Sequence, residues 1–236
     1  MKATAGKAKV WDLPTRLFHV LIILLVAVQW WTGENLDKPV TAGGWDPLIL
    51  HIWSGCGILA LVLARIVWGF AGSTTSRFGH FLKGPAAMVR YLRGLFSRDA
   101  PHAAGHNPVG GIWVMVMLGF LLVLPLLGLF AADEDLMGAG PAGPFSHMID
   151  EGLADRMAHW HHQGWHIFIW VFGIHIAAAL LYLIVKRQNL IGAMITGRDN
   201  AEGAETLRFR PLWLAVVILA IIGAALGAAL KWIAYA

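Results

Sequence analysis

The apolar positions of this chain neither alternate nor recur every third or fourth residue. They fall in near-continuous runs: Leu17–Trp31, Leu48–Phe70, Gly111–Ala131, Trp160–Val185 and Leu212–Leu230. A bilayer core about 30 Å thick needs about 20 apolar residues of helix, each rising about 1.5 Å. The runs therefore predict five membrane helices, at about 14–33, 48–71, 110–132, 158–185 and 212–231. The first run is short, but Pro14 suits the first turn of a helix and extends it. The expected fold is an all-α membrane protein. Residues 1–198 would form a four-helix transmembrane domain, and 199–236 a linker and a fifth, C-terminal transmembrane helix. The spans use about half the chain and leave no room for a separate soluble domain.

The polar intervals alternate in charge. Lys2, Lys7, Lys9 and Arg16 precede the first span, and Arg77, Lys83, Arg90, Arg93 and Arg98 follow the second. Lys186 and Arg187 follow the fourth. The other connections are acidic, with Glu34, Asp37 and Asp46 in one and Asp133, Glu134, Asp135, Asp150, Glu151 and Asp155 in the next. Cationic loops stay inside, which puts the N-terminus in the cytoplasm and the C-terminus outside. The basic N-terminus resembles a secretory leader, but the first run ends in QWWTG with no small-residue cleavage site, so we read it as a retained span.

Composition agrees: 58% of residues are hydrophobic and 14% charged, against about a quarter charged in soluble domains. The net charge of +4 comes from the inner loops and gives no reason to expect nucleic-acid binding. The single cysteine, Cys56, excludes an intramolecular disulfide, a C-x-x-C-H haem attachment and a Cys-ligated iron–sulfur cluster. It reads as a small buried apolar residue.

Histidines carry the candidate chemistry. His161 and His175 lie fourteen residues apart in one span. Fourteen steps return to within about 40° of the start and climb about 21 Å, so the two share a stripe at opposite depths. His19 lies near the inner end of the first span and His51 near the outer end of the second. Ionisable groups at membrane depth are costly and point to function. Depth pairs His51 with His161 outside and His19 with His175 inside, as axial ligands of two haems. A packed or proton-path role competes for any one of them. The fourth span also opens with His159, His162 and His166. His162 is about 140° and His166 about 180° from the stripe of His175, so His161 fits best. A zinc site lacks a completed ligand set.

Arg65 follows His51 by fourteen residues, and Arg16 lies one turn from His19. Either guanidinium could pair with haem propionates or simply snorkel. Gly55, four after His51, leaves room for a macrocycle, or serves helix packing. Gly138, Gly140 and Gly143 match G-x-G-x-x-G without the strand and helix a dinucleotide site requires. Gly223 and Gly227 form a G-x-x-x-G contact motif in the fifth span. His80, His102, His106 and His147 read as loop or interface residues; His106 could approach a head group or a quinone.

VWDLPTRLFH at 10–19, HIWSGCGILALVLARIVWGFAGS at 51–73, RFGHFLKGP at 77–85, GHNPVGG at 105–111, the His161/His175 spacing and NLIGAMITGR at 189–198 together resemble the bacterial cytochrome b561 family. That family includes the b-type cytochrome subunits of nickel–iron hydrogenases. The resemblance implies a four-helix membrane cytochrome with two non-covalent b haems, ligated at His19, His51, His161 and His175. It further implies electron transfer between the quinone pool and a periplasmic dehydrogenase, hydrogenase or c-type cytochrome. The fifth span departs from the four-helix pattern. Two other readings stay open: a stand-alone quinone oxidoreductase with a small donor such as superoxide, and a haem-free transporter. We expect an outer docking surface, where the acidic loop and extra histidines lie.

Overall fold

A computed structural model of the chain describes residues 7–36, 38, 43–94, 104–132, 142–200 and 203–234. Lys2, Asp37, Arg98, Asp99, His102, residues 133–135, and Gly138, Gly140 and Pro141 lie outside the described residues.

Among the described residues, five helices are long and apolar enough to cross a membrane. They are α1 (Leu13–Gly33), α2 (Pro47–Ala71), α5 (Pro108–Phe130), α6 (Glu151–Ile184) and α8 (Leu212–Ala234). Between them lie α3 (Phe78–Phe81), α4 (Pro85–Gly94), α7 (Leu190–Thr196), and the two-residue strands β1 (Ala8–Lys9) and β2 (Arg198–Asp199). The chain is an all-α membrane protein. Its surface is inverted relative to a soluble protein: Trp170, Phe70 and Ile184 are more than 70% exposed, whereas Asp12, Thr32 and Arg65 are buried. Lipid is the solvent that makes this arrangement favourable.

The helix starts follow one local rule. Asp12 accepts from Thr15 N–H at 2.9 Å, and Asp46 from Leu48 N–H at 2.8 Å. Asn107 accepts from Gly110 N–H at 2.7 Å, and Asp150 from Leu153 N–H at 2.9 Å. Each side chain satisfies an N–H that the first turn leaves unpaired. At α2 and α5 the cap is followed at once by a proline, whose missing N–H costs nothing there. The four cap-led spans start within a few residues of the apolar runs, except α6. It begins at Glu151 rather than near 158, because Asp150 caps it and Glu151 suits the positive end of the helix dipole. Hydropathy alone misses these first polar turns.

The chain divides into two compact units. The first comprises Met1–Phe18, Arg65–Met117 and Val171–Val217. Here β1 pairs antiparallel with β2, and the N–H groups of Val10 and Trp11 both donate to Gly197 O, at 2.8 and 3.1 Å. Gly197 ends α7 in the left-handed region at φ 77°, a conformation that suits glycine. Val10, Trp11, Ala193 and Ala204 form the local core.

Asp12, 1% exposed, is the polar centre of this unit. Its carboxylate accepts from Trp68 Nε1 at 3.0 Å and Ser76 Oγ at 3.1 Å, in addition to Thr15 N–H. Thr15 and Ser76 hydroxyls are 2.7 Å apart, and Thr75 Oγ1 donates to Val10 O at 2.7 Å. Burial alone would raise the Asp12 pKa, but hydrogen bonds from Ser73, Thr15 and Trp68 prevail and hold it below its ordinary value.

The second unit comprises His19–Ala64, Leu118–Trp170 and Ile218–Ala236. Ile22, Val26, Ile58, Leu59, Val62, Leu118, Leu121, Leu124 and Phe168 are buried in it. The segment after α5 turns back on that helix: Gly143 N–H donates to Ala131 O at 2.7 Å, and Phe145 N–H to Leu129 O at 2.8 Å. A Cβ on Gly143 would lie 2.2 Å from Gly128 O, so the close approach needs glycine.

Candidate functional site

Within the second unit, the C-terminal ends of α1 and α5 and the N-terminal halves of α2 and α6 enclose a cavity of about 320 Å³. Small-molecule sites occupy about 300–1,000 Å³. His51 and His161 line it, with Gly55, Cys56, Gln29, Leu124, Gly128 and Phe168 among their neighbours.

The two imidazole centroids are 6.1 Å apart and their planes lie at 80°. A ring nitrogen sits about 1.1 Å from its centroid, and metal–imidazole bonds are about 2 Å. Two imidazoles on opposite sides of one metal therefore have centroids about 6.2 Å apart. The observed 6.1 Å separation leaves room for one metal ion between the rings.

Each ring is also oriented from behind. His51 Nδ1 lies 2.8 Å from Thr32 Oγ1. That hydroxyl donates its only proton to the carbonyl of Val28 at 2.8 Å, within its own helix. With the hydroxyl proton on that carbonyl, Thr32 accepts from His51, and the imidazole proton then sits on Nδ1 with the lone pair on Nε2. His161 reaches the same state by a different route: its Nδ1 donates to Leu124 O at 2.9 Å. Fixing the tautomer through the far nitrogen is how proteins prepare a histidine for metal. Thr32 itself is fully buried.

Small residues keep space around the rings. A Cβ on Gly128 would lie 3.0 Å from His161 Cε1, and one on Gly33 3.8 Å from His51 Cε1. Gly55 lines the cavity, where a Cβ would press on Gln29 Nε2 at 3.0 Å. That amide donates to His51 O at 2.8 Å and Ser54 Oγ at 3.0 Å, holding the first turns of α2 against α1. The donor set, the ring separation and the glycine-lined space all fit a bis-His haem. Among the described residues, no cluster of three or more His, Cys, Asp or Glu is placed to hold a metal ion.

His159, His162 and His166 are exposed side chains of α6, although His162 and His166 border the cavity. His19 (α1, second unit) and His175 (α6, first unit) are half-buried. Arg65 is 4% exposed, with its guanidinium carbon 5.7 Å from the centre of the Phe78 ring. Its Nη1 is buried without a hydrogen-bond partner, as is Trp113 Nε1. Arg16 is engaged elsewhere: Nε donates to Met194 O at 3.2 Å, and Nη2 to Ile195 O. No sequence motif marks Thr32, Leu124 or Gly128 as part of this site.

A family model described as prokaryotic cytochrome b561 matches residues 10–197. The chain belongs to that family. It is accordingly a membrane b-type cytochrome of electron transfer, and family membership implies b-type haem. Its relatives include the probable Ni/Fe-hydrogenase 1 B-type cytochrome subunit of Escherichia coli K12, 26% identical, covering 80% of this chain and 88% of that protein. The probable Ni/Fe-hydrogenase B-type cytochrome subunit of Bradyrhizobium diazoefficiens is also 26% identical, with 80% and 84% covered. The probable superoxide oxidase CybB of Yersinia pestis is 25% identical, with 75% and 90% covered. No solved structure matches significantly.

Proposed function

We propose that this cytochrome carries electrons across a bacterial inner membrane through two b haems, between the quinone pool and a redox protein at the outer face. The observation that carries the proposal is the 6.1 Å separation of His51 and His161, with the Nδ1 of each ring committed to an acceptor. These two residues would ligate the outer haem. The inner pair, His19 and His175, rests on the depths and helical phases of the sequence, with the N-terminus cytoplasmic and the C-terminus periplasmic.

A b haem held by His51 and His161 would supply one-electron exchange between ferric and ferrous iron. The chain's own groups do the rest. Thr32 and the Leu124 carbonyl hold the imidazoles neutral at Nε2 and fix their planes. Gly128 and Gly55 leave space beside them, and Phe168, Leu121 and Leu124 exclude water. Arg65, with Nη1 free of protein partners, suits a propionate of the inner haem. Arg16 takes a lesser part in this, since two of its nitrogens are donated to α7.

The hydrogenase-subunit relatives favour a hydrogenase-like or other dehydrogenase partner. The CybB relative favours a second reading, a stand-alone oxidase of superoxide with quinone as acceptor. Partner-free turnover of superoxide by the purified chain decides for the second.

The cofactor test is a reduced-minus-oxidised spectrum with haem quantified per chain. We expect a b-type signal and about two haems, falling to about one in His161→Ala and staying at two in His162→Ala. One haem in the wild type, or loss in His162→Ala with retention in His161→Ala, overturns the ligand scheme.

A further inference from the structure

The connection between α2 and α5 begins and ends on one side of the membrane, because it joins consecutive spans. Within it, α4 is ten residues long, about 15 Å of helix. No residue of α4 is fully buried. Ala87, Met88, Tyr91 and Gly94 are half-buried and occupy roughly 180–300° of the helical wheel, taking Pro85 as zero. Tyr91 is pinned through its hydroxyl to Tyr182 near the end of α6, and Tyr182 also accepts from Asn107 Nδ2 at 3.0 Å. That side of α4 faces the protein.

The exposed side divides into two sectors. Leu92, Pro85 and Val89 fall at about 340–40° and are apolar, whereas Arg93 and Arg90 fall at about 80–140°. Val89 is 47% exposed, Leu92 46%, and Leu82, just before the helix, 39%. From residue 77 to 94 the chain carries Arg77, Lys83, Arg90 and Arg93, all exposed, and no carboxylate. Burial first, and then Lys83 and Arg77 beside it, hold His80 below its ordinary pKa.

A helix tethered at a membrane face, with protein, apolar and cationic sectors in that angular order, fits the bilayer interface. We propose that α4 is an interfacial helix: Val89 and Leu92 enter the acyl boundary, and Lys83, Arg90 and Arg93 bind anionic phospholipid head groups. An acidic protein would satisfy the cations but leave the adjoining apolar edge in water. The bilayer satisfies both, and cytoplasmic-leaflet charge attracts basic segments. The proposal is independent of which haem or quinone chemistry the protein performs.

Hydrogen–deuterium exchange of α4 peptides tests it, using the full chain in nanodiscs of phosphatidylglycerol or of phosphatidylcholine. Exchange should be slower in phosphatidylglycerol, and Arg90→Gln/Arg93→Gln should abolish the difference while keeping the haem spectrum. Native mass spectrometry should give a phosphatidylglycerol preference that falls about five-fold per charge removed, the equivalent of about 1 kcal/mol each. Equal exchange in the two lipids overturns the proposal, as does a lipid difference that survives the double variant. Slowing that needs an added acidic protein rather than anionic lipid would assign the surface to a protein partner and also overturn it.

Discussion

The Asp12 network and the His51/His161 pair treat their polar atoms in opposite ways. Around Asp12 every strong group closes on another: one carboxylate gathers an N–H, an indole and a hydroxyl, and the neighbouring hydroxyls bond each other or backbone. Around His51 and His161 each ring is satisfied on one nitrogen only. The first pattern spends its hydrogen-bonding capacity on architecture. The second holds one valence back, and a held-back valence in an apolar cavity is where a cofactor belongs. Burial does not separate the two regions; closure of the hydrogen-bond set does. By that criterion Arg65 Nη1 and Trp113 Nε1 also belong with the open groups.

Removing the closed centre should have the largest effect. Asp12→Ala deletes the α1 cap and strands Trp68 Nε1, while Ser76 Oγ keeps the Thr15 hydroxyl as its one partner. A lost cap costs about 1 kcal/mol and a stranded buried donor about 1–3 kcal/mol, so we expect a loss of about 3 kcal/mol. Thermal melting in detergent should fall sharply, with Asp12→Asn between the two. If melting is unchanged, the Asp12 network is not architectural and the comparison collapses.

The open site should respond in cofactor affinity rather than in folding. Thr32→Val removes the acceptor behind His51 without changing shape much. Loss of an outer partner of a metal-binding histidine costs about 10–100-fold in metal affinity. Haem titration should show that weakening at one site only, and Thr32→Ser should restore it. A drop in melting without a change in haem affinity would make Thr32 a packing residue. Gly128→Ala should act more mildly, because the ring 3.0 Å from the new Cβ can tilt. We expect an altered spectrum of one haem with full occupancy.

Both patterns were partly visible in the sequence, for different reasons. Membrane helices declare themselves through long apolar runs, and Asp or Asn before the first turn, often with proline next, marks their starts. Glu151 shows the limit of hydropathy: its polar turns are helical because of Asp150, which acts through one hydrogen bond. His51 and His161 were legible because depth and phase are one-dimensional quantities. Thr32 was not, since its role depends on the 34–46 connection bringing the end of α1 beside the start of α2. A threonine at the depth of His51 was the available signal. Leu124 contributes only a backbone carbonyl, which no side-chain pattern encodes. Gly128 matters through space it leaves, and that space exists only once α6 is in position.

The smallest expected effect is a pH dependence that separates the two regions again. Asp12 is held below its ordinary value of 3.8 in the folded chain. On acidification the unfolded chain therefore takes up this proton first. The stabilisation is fully present above about pH 4 and declines as pH falls below that, through the folded value. Wild-type melting should decline over that window, and Asp12→Asn should show a shallower slope after its lower baseline is allowed for. Haem occupancy of the His51/His161 site, monitored at a temperature well below melting, should not follow the Asp12 titration. A slope in Asp12→Asn equal to that of the wild type would assign the acid sensitivity to other carboxylates. Loss of haem in step with Asp12 protonation would show that the closed network and the open site are not energetically separable.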